Sequence, residues 1–329
     1  MKEGDIRPEN LMDEELNLRL EDIKNLLRNI DNFLEIDCPA CNSEKYNKDF
    51  EKFGFTFVKC GQCETIFMNP RPSYLMLKDY YENAKHLKFW NTKIFPISEE
   101  IRRERIFIPR AKRVVELCKK YSLGKRILLD VGAGFGTFCE ELEKFNFFEK
   151  IIAVEPSHEL AETCRTKNIE VLEQPIEYVK VSNIDVITNF ELIEHLFNPK
   201  EFLLLCNKAL SDNGLLILTT PNIKGFDLLV LGDKSDNIGD PNHLNMFHID
   251  SLTFLLENCN FEVLEVLTPG KLDSSIVRNK ILSGDYDISN NPFLKYLLID
   301  RWDEIGNSFQ EFLINNNLSS HLWIVARKN

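Results

Sequence analysis

The stretch LLDVGAGFGTF, Leu128 to Phe138, constrains this chain most: an apolar run closes on Asp130, and Gly132, Gly134 and Gly136 follow at alternate positions. A short apolar run bounded by glycines reads as a strand, and the residues from Thr137 read as a helix. Glycines let a backbone come close to a ligand, and the start of the next helix offers N–H groups without intrahelical partners. That arrangement suits a ligand carboxylate as well as a phosphate. In the dinucleotide fingerprint the third glycine comes three residues after the second, so the even spacing here sets a different turn. Taken alone, the turn also fits an NAD enzyme or a phosphate-binding fold.

The alternation of strand and helix continues from there. RILLDVG, KIIAVEP, IEVLEQ, IDVITNF and GLLILTTPN read as strands, with helices from Thr137, Ser157 and Pro199 and a short one after IEVLEQ. Such alternation predicts right-handed crossovers and a parallel sheet with helices on both faces, a doubly wound α/β fold. FEVLEVLTP and HLWIVARK add two strands, and helices are expected at His248–Asn258 and near Pro292–Asn315. Insertions at 222–249 and 270–317 interrupt this core of residues 123–329, and such insertions carry substrate-binding parts in many α/β enzymes. Glu155 closes KIIAVEP, where a carboxylate can accept hydrogen bonds from ribose hydroxyls. NAD enzymes and methyltransferases both place an acid there.

Three smaller pieces precede the core. In residues 1–36, Leu20, Ile23, Leu27, Ile30 and Leu34 form a heptad seam on a helix expected from about Pro8 to Ile36. Such a helix either packs on its own chain or pairs in a homodimer. In residues 37–72, CPAC (Cys38, Cys41) and CGQC (Cys60, Cys63) have the ligand spacing of a zinc ribbon, with two strand-like runs turning near Gly54. Zinc should then contribute directly to folding so small a piece; a redox dithiol is the alternative. Cys118, Cys139, Cys164, Cys206 and Cys259 lie singly among apolar neighbours and read as core. NPRP, Asn69 to Pro72, closes the ribbon, and residues 73–122 form a helical bridge with helices at Tyr74–Asn83 and Ser98–Tyr121.

A formal net charge of −12 gives no general attraction for phosphate backbones, which makes nucleic acid a poor substrate. No run of about 18 apolar residues and no secretory signal is found, so a cytoplasmic protein without membrane insertion is expected.

The series LLDVGAGFGTF, AVEPS, DVITNFELIEHLFNP and GLLILTTPN, in that order, resembles the class I S-adenosylmethionine-dependent methyltransferases over about residues 125–268 plus the last strand. The resemblance implies a Rossmann-like sheet with a final antiparallel strand and S-adenosylmethionine as methyl donor. Asp130 would hold the donor's ammonium, directly or through water, while Gly132, Ala133, Gly134 and Gly136 let it approach the main chain. Glu155, followed by Pro156, would bind the ribose. The stretch from Glu173 to Ile176, with Gln174, would flank adenine. Asn189, Phe190 and Glu191 would lie beside the sulfonium, where carbonyl oxygens and ring faces stabilise positive charge.

A ribbon ahead of such a core resembles methyltransferases of bacterial surface-polysaccharide and deoxysugar biosynthesis, implying Zn2+ and a sugar or nucleotide-sugar acceptor. The sugar C-methyltransferases of that group carry a further domain after the core, a departure that speaks against C-methylation and leaves O- or N-methylation of a sugar open. GDPNHLNMFHID supplies His243 as general base or substrate hydrogen-bonder, an imidazole being half neutral near pH 6.5. His195 and Glu191 join it as catalytic candidates. His248 is expected at a helix entry capped by Asp250, and Lys271, Asp273 and Arg278 are candidates for contacts with a phosphorylated or hydroxyl-rich acceptor. Another small metabolite, RNA, or a donor-binding scaffold role are the alternative readings.

Overall fold

The computed structural model describes residues 3–124, 126–238 and 241–329. Lys125, where the alternating pattern begins, and Gly239 and Asp240 of the GDPNHLNMFHID phrase lie outside the described residues. Helix α1 (Glu9–Leu27) stops short of Ile36, and a 3-10 turn at Ile30–Asn32 follows. Asn29, Asp31 and Asn32 hydrogen-bond readily to local backbone and are poor helix formers, which ends the helix early. Of the heptad seam, Ile23 is buried, with Leu26 beside it, whereas Leu20, Ile30 and Leu34 are exposed. The buried pair packs with Phe55, Phe57, Leu77 and Tyr80 of its own chain.

The ribbon contributes β1 (Tyr46–Lys52), β2 (Phe55–Cys60) and β3 (Ile66–Met68), consecutive antiparallel strands. The turn between β1 and β2 uses Phe53 and Gly54, both with positive φ (52° and 87°), the backbone sense that suits the twist of a tight hairpin. After α2 (Tyr74–Asn83), α3 (Lys85–Phe89), α4 (Phe95–Arg102) and α5 (Ile108–Lys120) follow, joined by wide π-type turns at Trp90–Ile94 and Arg103–Phe107. Each wide turn directly precedes the first turn of a helix containing Pro96 or Pro109. Proline has no N–H for the carbonyl four residues back and its ring crowds that carbonyl, so the ladder opens there.

The core runs β4 (Ile127–Val131), α6 (Thr137–Glu143), β5 (Lys150–Val154), α7 (His158–Thr166), β6 (Glu170–Leu172), β7 (Ile184–Phe190), α8 (Pro199–Ala209) and β8 (Leu210–Pro221). It continues with α9 (Phe226–Leu231), β9 (Asn245–Met246), α10 (Ile249–Glu257), β10 (Phe261–Leu267), α11 (Asp273–Leu282), α12 (Pro292–Lys295), α13 (Trp302–Asn315) and β11 (His321–Lys328). Seven strands form one sheet in the order β10-β11-β8-β7-β4-β5-β6, with β11 antiparallel to both neighbours. The expected doubly wound sheet with a final antiparallel strand is therefore present. Apolar side chains from the central strands fill the cores on its two faces, Leu129 and Ile187 on one, Leu128 and Val186 on the other. The helices anticipated near Pro292–Asn315 are α12 and α13, separated by a wide turn at Tyr296–Asp300. Helices α9 and α11, which carry no strong periodic signal, pack with α12 around Leu231, Val277 and Leu294.

One feature of the topology is absent from the sequence pattern. Strand β9, only two residues long and lying in the 222–249 insertion, pairs with β3 and makes the ribbon a four-stranded sheet. Fully buried Arg71, from NPRP, fastens the joint: its guanidinium donates to the carbonyls of Met68 (3.2 Å), Phe197 (3.2 Å) and Leu244 (3.3 Å) and to Asn245 Oδ1 (3.0 Å). The ribbon is thus built into the core beside the segment that carries His243.

Candidate active site

The glycine turn folds over the end of β5, with Gly132 and Ala133 N–H both donating to Val154 O (2.9 and 3.2 Å). Gly132, Gly134 and Gly136 all have positive φ, but their surroundings differ. A Cβ on Gly136 would lie 2.8 Å from Ile169 Cδ1 and 2.9 Å from Cys164 Sγ, whereas one on Gly134 would meet nothing within 4 Å. Gly136 therefore lets α6 pack closely on α7, and Gly134 faces open space. Buried Glu155 turns back onto this loop: Oε2 accepts from Gly134 N–H and Oε1 from Ser157 N–H, both at 2.9 Å. Burial lifts its carboxyl to about 7 against the pull of those two N–H groups.

Asp130 lies at the other wall, accepting from Thr188 Oγ1 at 2.7 Å and from Cys139 Sγ at 3.4 Å. Burial raises it to about 6, with those two donors and Arg110 opposing. Asn189, on the neighbouring strand, is fully buried, and neither its Oδ1 nor its Nδ2 has a hydrogen-bond partner among the described residues. A buried amide left unpaired costs about 1–3 kcal/mol, and a polar ligand there removes that cost. Pro156 is exposed and partly buried Ile176 starts a short 3-10 turn. Gln174 donates its backbone N–H to Leu172 O, and Glu173 is paired with His158 and Arg165. The open space over Gly134, the carboxylate of Glu155 and the unpaired amide of Asn189 fit a bound nucleoside with a polar tail.

At the end of β7 the alternation sends Phe190 and Glu191 to different neighbours. The Phe190 ring packs on Phe138 and Trp323, and the cation over its face is Arg110, whose Cζ is 4.2 Å from the centroid. One face of the ring is thus taken by a guanidinium. Glu191 holds a left-handed backbone (φ 52°), a conformation that costs a residue with a side chain about 1–3 kcal/mol and that gathers at functional sites. Its Oε1 accepts from Thr219 Oγ1 at 2.6 Å and lies 3.4 Å from His321 Nδ1 and 3.9 Å from Arg110 Nη2. Burial works to raise this carboxyl, but those three neighbours hold it below the ordinary carboxylate value.

Three residues further, Glu194, His195 and His243 come together, one ligating atom of each within 4.8 Å of the others. The rings of His195 and His243 meet edge to face at 4.9 Å. His243 Nδ1 bonds to Asn237 O at 2.8 Å, and His195 Nδ1 to Asn242 O. Burial and the charge of Glu191 push the Glu194 carboxyl up to about 8. Expected catalytic residues His243, His195 and Glu191 therefore lie at one end of the sheet, with Glu194 among them. His248 itself, not Asp250, caps α10; its backbone N–H donates to Ser251 Oγ and its Nε2 to Cys63 O at 2.9 Å, tying the helix to the ribbon. Asp273 is buried in bonds to Ser319, Ser320 and Gln310, and Arg278 lies over the Trp302 ring. Asp273 is thereby engaged in holding the fold, Arg278 is engaged with an aromatic ring, and Lys271 is exposed. Arg110, Thr219, Thr220 and His321 escaped the sequence reading, because they come from elements far apart in the chain and share no local motif.

All four ribbon cysteines converge, Cys38 and Cys63 Sγ at 3.5 Å and Cys41 and Cys60 Sγ at 3.5 Å, every pair within 4.8 Å. A tetrahedral ion with bonds of about 2.3 Å spaces its sulfurs by roughly 3.8 Å, which this cluster matches. Backbone N–H groups of Gln62 and Cys63 point at Cys60 Sγ at 3.4 and 3.5 Å, as they do toward a thiolate. The other five cysteines are buried free thiols, as expected.

Sheet order, antiparallel last strand and glycine turn together define a class I methyltransferase domain. The family model described as a methyltransferase domain matches residues 100–266, just over half of the 329 residues, and the chain belongs to that family. It is similar to a probable S-adenosylmethionine-dependent methyltransferase of Mycobacterium tuberculosis, 28% identical over 140 residues, which are 41% of this chain and 48% of that protein. It is also similar to a ubiquinone biosynthesis O-methyltransferase of Caulobacter sp., 30% identical over 116 residues, 32% of this chain and 45% of that one. The chain thus spans about half the length of these relatives. A solved S-adenosylmethionine-dependent methyltransferase of Archaeoglobus fulgidus superimposes with a TM-score of 0.48 at 22% identity, covering 72% of this chain and 100% of that one.

Proposed function

We propose that this chain transfers a methyl group from S-adenosylmethionine to a hydroxyl of a small polar acceptor, a sugar that is nucleotide-linked or glycan-bound. When bound, the donor supplies an electrophilic methyl; the acceptor oxygen gains it while sulfur keeps the electron pair of the broken bond. Asp130 and the Gly132–Gly136 turn hold the amino-acid end, Glu155 accepts from the ribose hydroxyls, and Asn189 takes a polar group of the donor. The relation to O-methyltransferases and the resemblance of the ribbon-plus-core arrangement to sugar-modifying enzymes support an oxygen acceptor.

The observation that carries this reading is the tautomer of His243. A carbonyl only accepts, so the contact with Asn237 O makes Nδ1 the donor and leaves the lone pair of a neutral ring on Nε2, in a residue whose imidazole clusters with Glu194 and His195. That lone pair either takes the acceptor's proton directly or, with a cation seated in the cluster, holds the cation. The ribbon cysteines hold a structural Zn2+, and nine cysteines with no disulfide among them accord with a reducing compartment, the cytoplasm. Incubation with labelled S-adenosylmethionine and a panel of nucleotide sugars tests the acceptor. His243→Ala should lower kcat by about 10²–10⁴-fold and leave affinity for S-adenosylhomocysteine unchanged; unaltered turnover refutes the assignment.

A further inference from the structure

His195 and His243 share a second property beyond their contact. The Nδ1 atoms of both rings bond to backbone carbonyls, those of Asn242 and Asn237, so each ring, when neutral, carries its lone pair on Nε2. Glu194 completes the group with a side chain only 2% exposed. Its Oε2 accepts from Thr220 Oγ1 at 2.9 Å, while buried Oε1 has no hydrogen-bond partner among the described residues and lies 3.8 Å from His195 Nε2. A buried carboxyl oxygen left unpaired is costly, and a cation between it and the two imidazoles removes that cost.

The scaffold behind the rings is the kind that metal ligands carry. Ligating imidazoles characteristically donate their far N–H to a carbonyl or carboxylate, which fixes ring orientation and raises ligand basicity. Here the support extends a further layer: Asn242, whose carbonyl holds His195, has its Nδ2 at 3.2 Å from His86 Nε2. Asp22 Oδ2 in turn accepts from both the backbone N–H and Nδ1 of His86, each at 2.9 Å. A line from α1 through α3 therefore sets the plane of His195. Two imidazole nitrogens and one carboxylate oxygen suit a first-row divalent cation and leave coordination positions open.

We propose that Glu194, His195 and His243 bind one divalent transition-metal cation, separate from the ribbon zinc, which offers a coordination position to the acceptor's hydroxyl oxygen. The cation stabilises the oxyanion left when that hydroxyl's proton passes to solvent. Its role rests on the hydroxyl-acceptor reading; its binding does not. Mn2+ is the probe of choice, because it has little affinity for four thiolates and leaves the ribbon's zinc in place. Titration of the full chain with Mn2+, followed by the electron paramagnetic resonance of free Mn2+, should show one saturable site. Glu194→Gln and His195→Gln should each weaken it by at least about 100-fold, and Asp22→Asn by about tenfold, with zinc content and S-adenosylhomocysteine affinity unchanged. Absence of a saturable site for Mn2+, and for Zn2+ beyond the ribbon equivalent, in protein that still binds S-adenosylhomocysteine overturns the proposal and spares the methyl-donor reading. Unchanged Mn2+ affinity in both glutamine variants overturns it as well. Protein that binds the cation but no S-adenosylhomocysteine sinks the donor reading instead.

Discussion

Gly134 and Gly136 look equivalent in the sequence, yet the structure assigns them different work, and alanine at each separates the two roles. Both have positive φ, 56° and 69°, so a Cβ at either imposes the left-handed cost of about 1–2 kcal/mol. At Gly134 nothing else is added, since no atom lies within 4 Å of the new carbon. At Gly136 the carbon would sit 2.8 Å from Ile169 Cδ1 and 2.9 Å from Cys164 Sγ, both side chains buried in the core, and 3.4 Å from the Cys164 Cα on the α7 backbone. Overpacking of that kind costs about 1–3 kcal/mol more. Urea denaturation should therefore find Gly136→Ala less stable than Gly134→Ala by about 1–3 kcal/mol. Calorimetry with S-adenosylhomocysteine should show the reverse order: Gly134→Ala, whose Cβ projects into the space assigned to the donor, loses affinity by more than tenfold, while folded Gly136→Ala loses less. Equal stabilities for the two variants, or stronger loss of binding at Gly136, would refute the division.

Glu155 titrates near 7 because burial outweighs its two N–H donors, so the folded chain holds its proton more tightly than the unfolded chain does. Its stability contribution therefore falls as pH rises from the ordinary carboxylate value, about 4.3, through 7. If Glu155 takes the proposed ribose role, binding of S-adenosylhomocysteine draws on its ionised form and should weaken below 7; Glu155→Gln should flatten both trends relative to wild type, and an unchanged pH profile of binding in that variant would count against the ribose role. Cys60→Ser should remove one zinc per chain, speed amide exchange at Asn245 and Met246 through the β3–β9 pairing, and lower turnover; zinc content equal to wild type would refute the ligand set. Arg71→Met leaves three carbonyls and Asn245 Oδ1 without their donor and should cost about 3–5 kcal/mol by denaturation; a loss under about 1 kcal/mol would show that the joint does not depend on it.

Much of the architecture is legible locally because the signals are local. Largely apolar strands such as Ile127–Val131 and Lys150–Val154 are satisfied between two layers of helix, and Asp130 and Glu155 fall at their carboxyl ends. The paired C-x2-C spacing likewise marks the four sulfurs that the folded chain brings together. Less was legible where pairing energy comes from distant partners. The heptad seam on α1 overstated the apolar face, because a one-sided contact with Phe55 and Phe57 needs only Ile23 and its neighbours. Strand β9, at two residues, is too short for any period, and α9 and α11 are held by tertiary packing rather than by a strong amphipathic pattern.

The amino-acid order by itself determined a doubly wound sheet, a glycine turn beside an acid, and a four-cysteine cluster, since each needs only neighbours within a few residues or one crossover. Tertiary structure alone decided that the ribbon lends its sheet to the 222–249 insertion, that Arg110 occupies the Phe190 ring, and that Glu194, His195 and His243 converge. Those contacts join residues tens to more than a hundred positions apart, and nothing in a local pattern can encode the distance between side chains that only a folded sheet brings within a few ångströms.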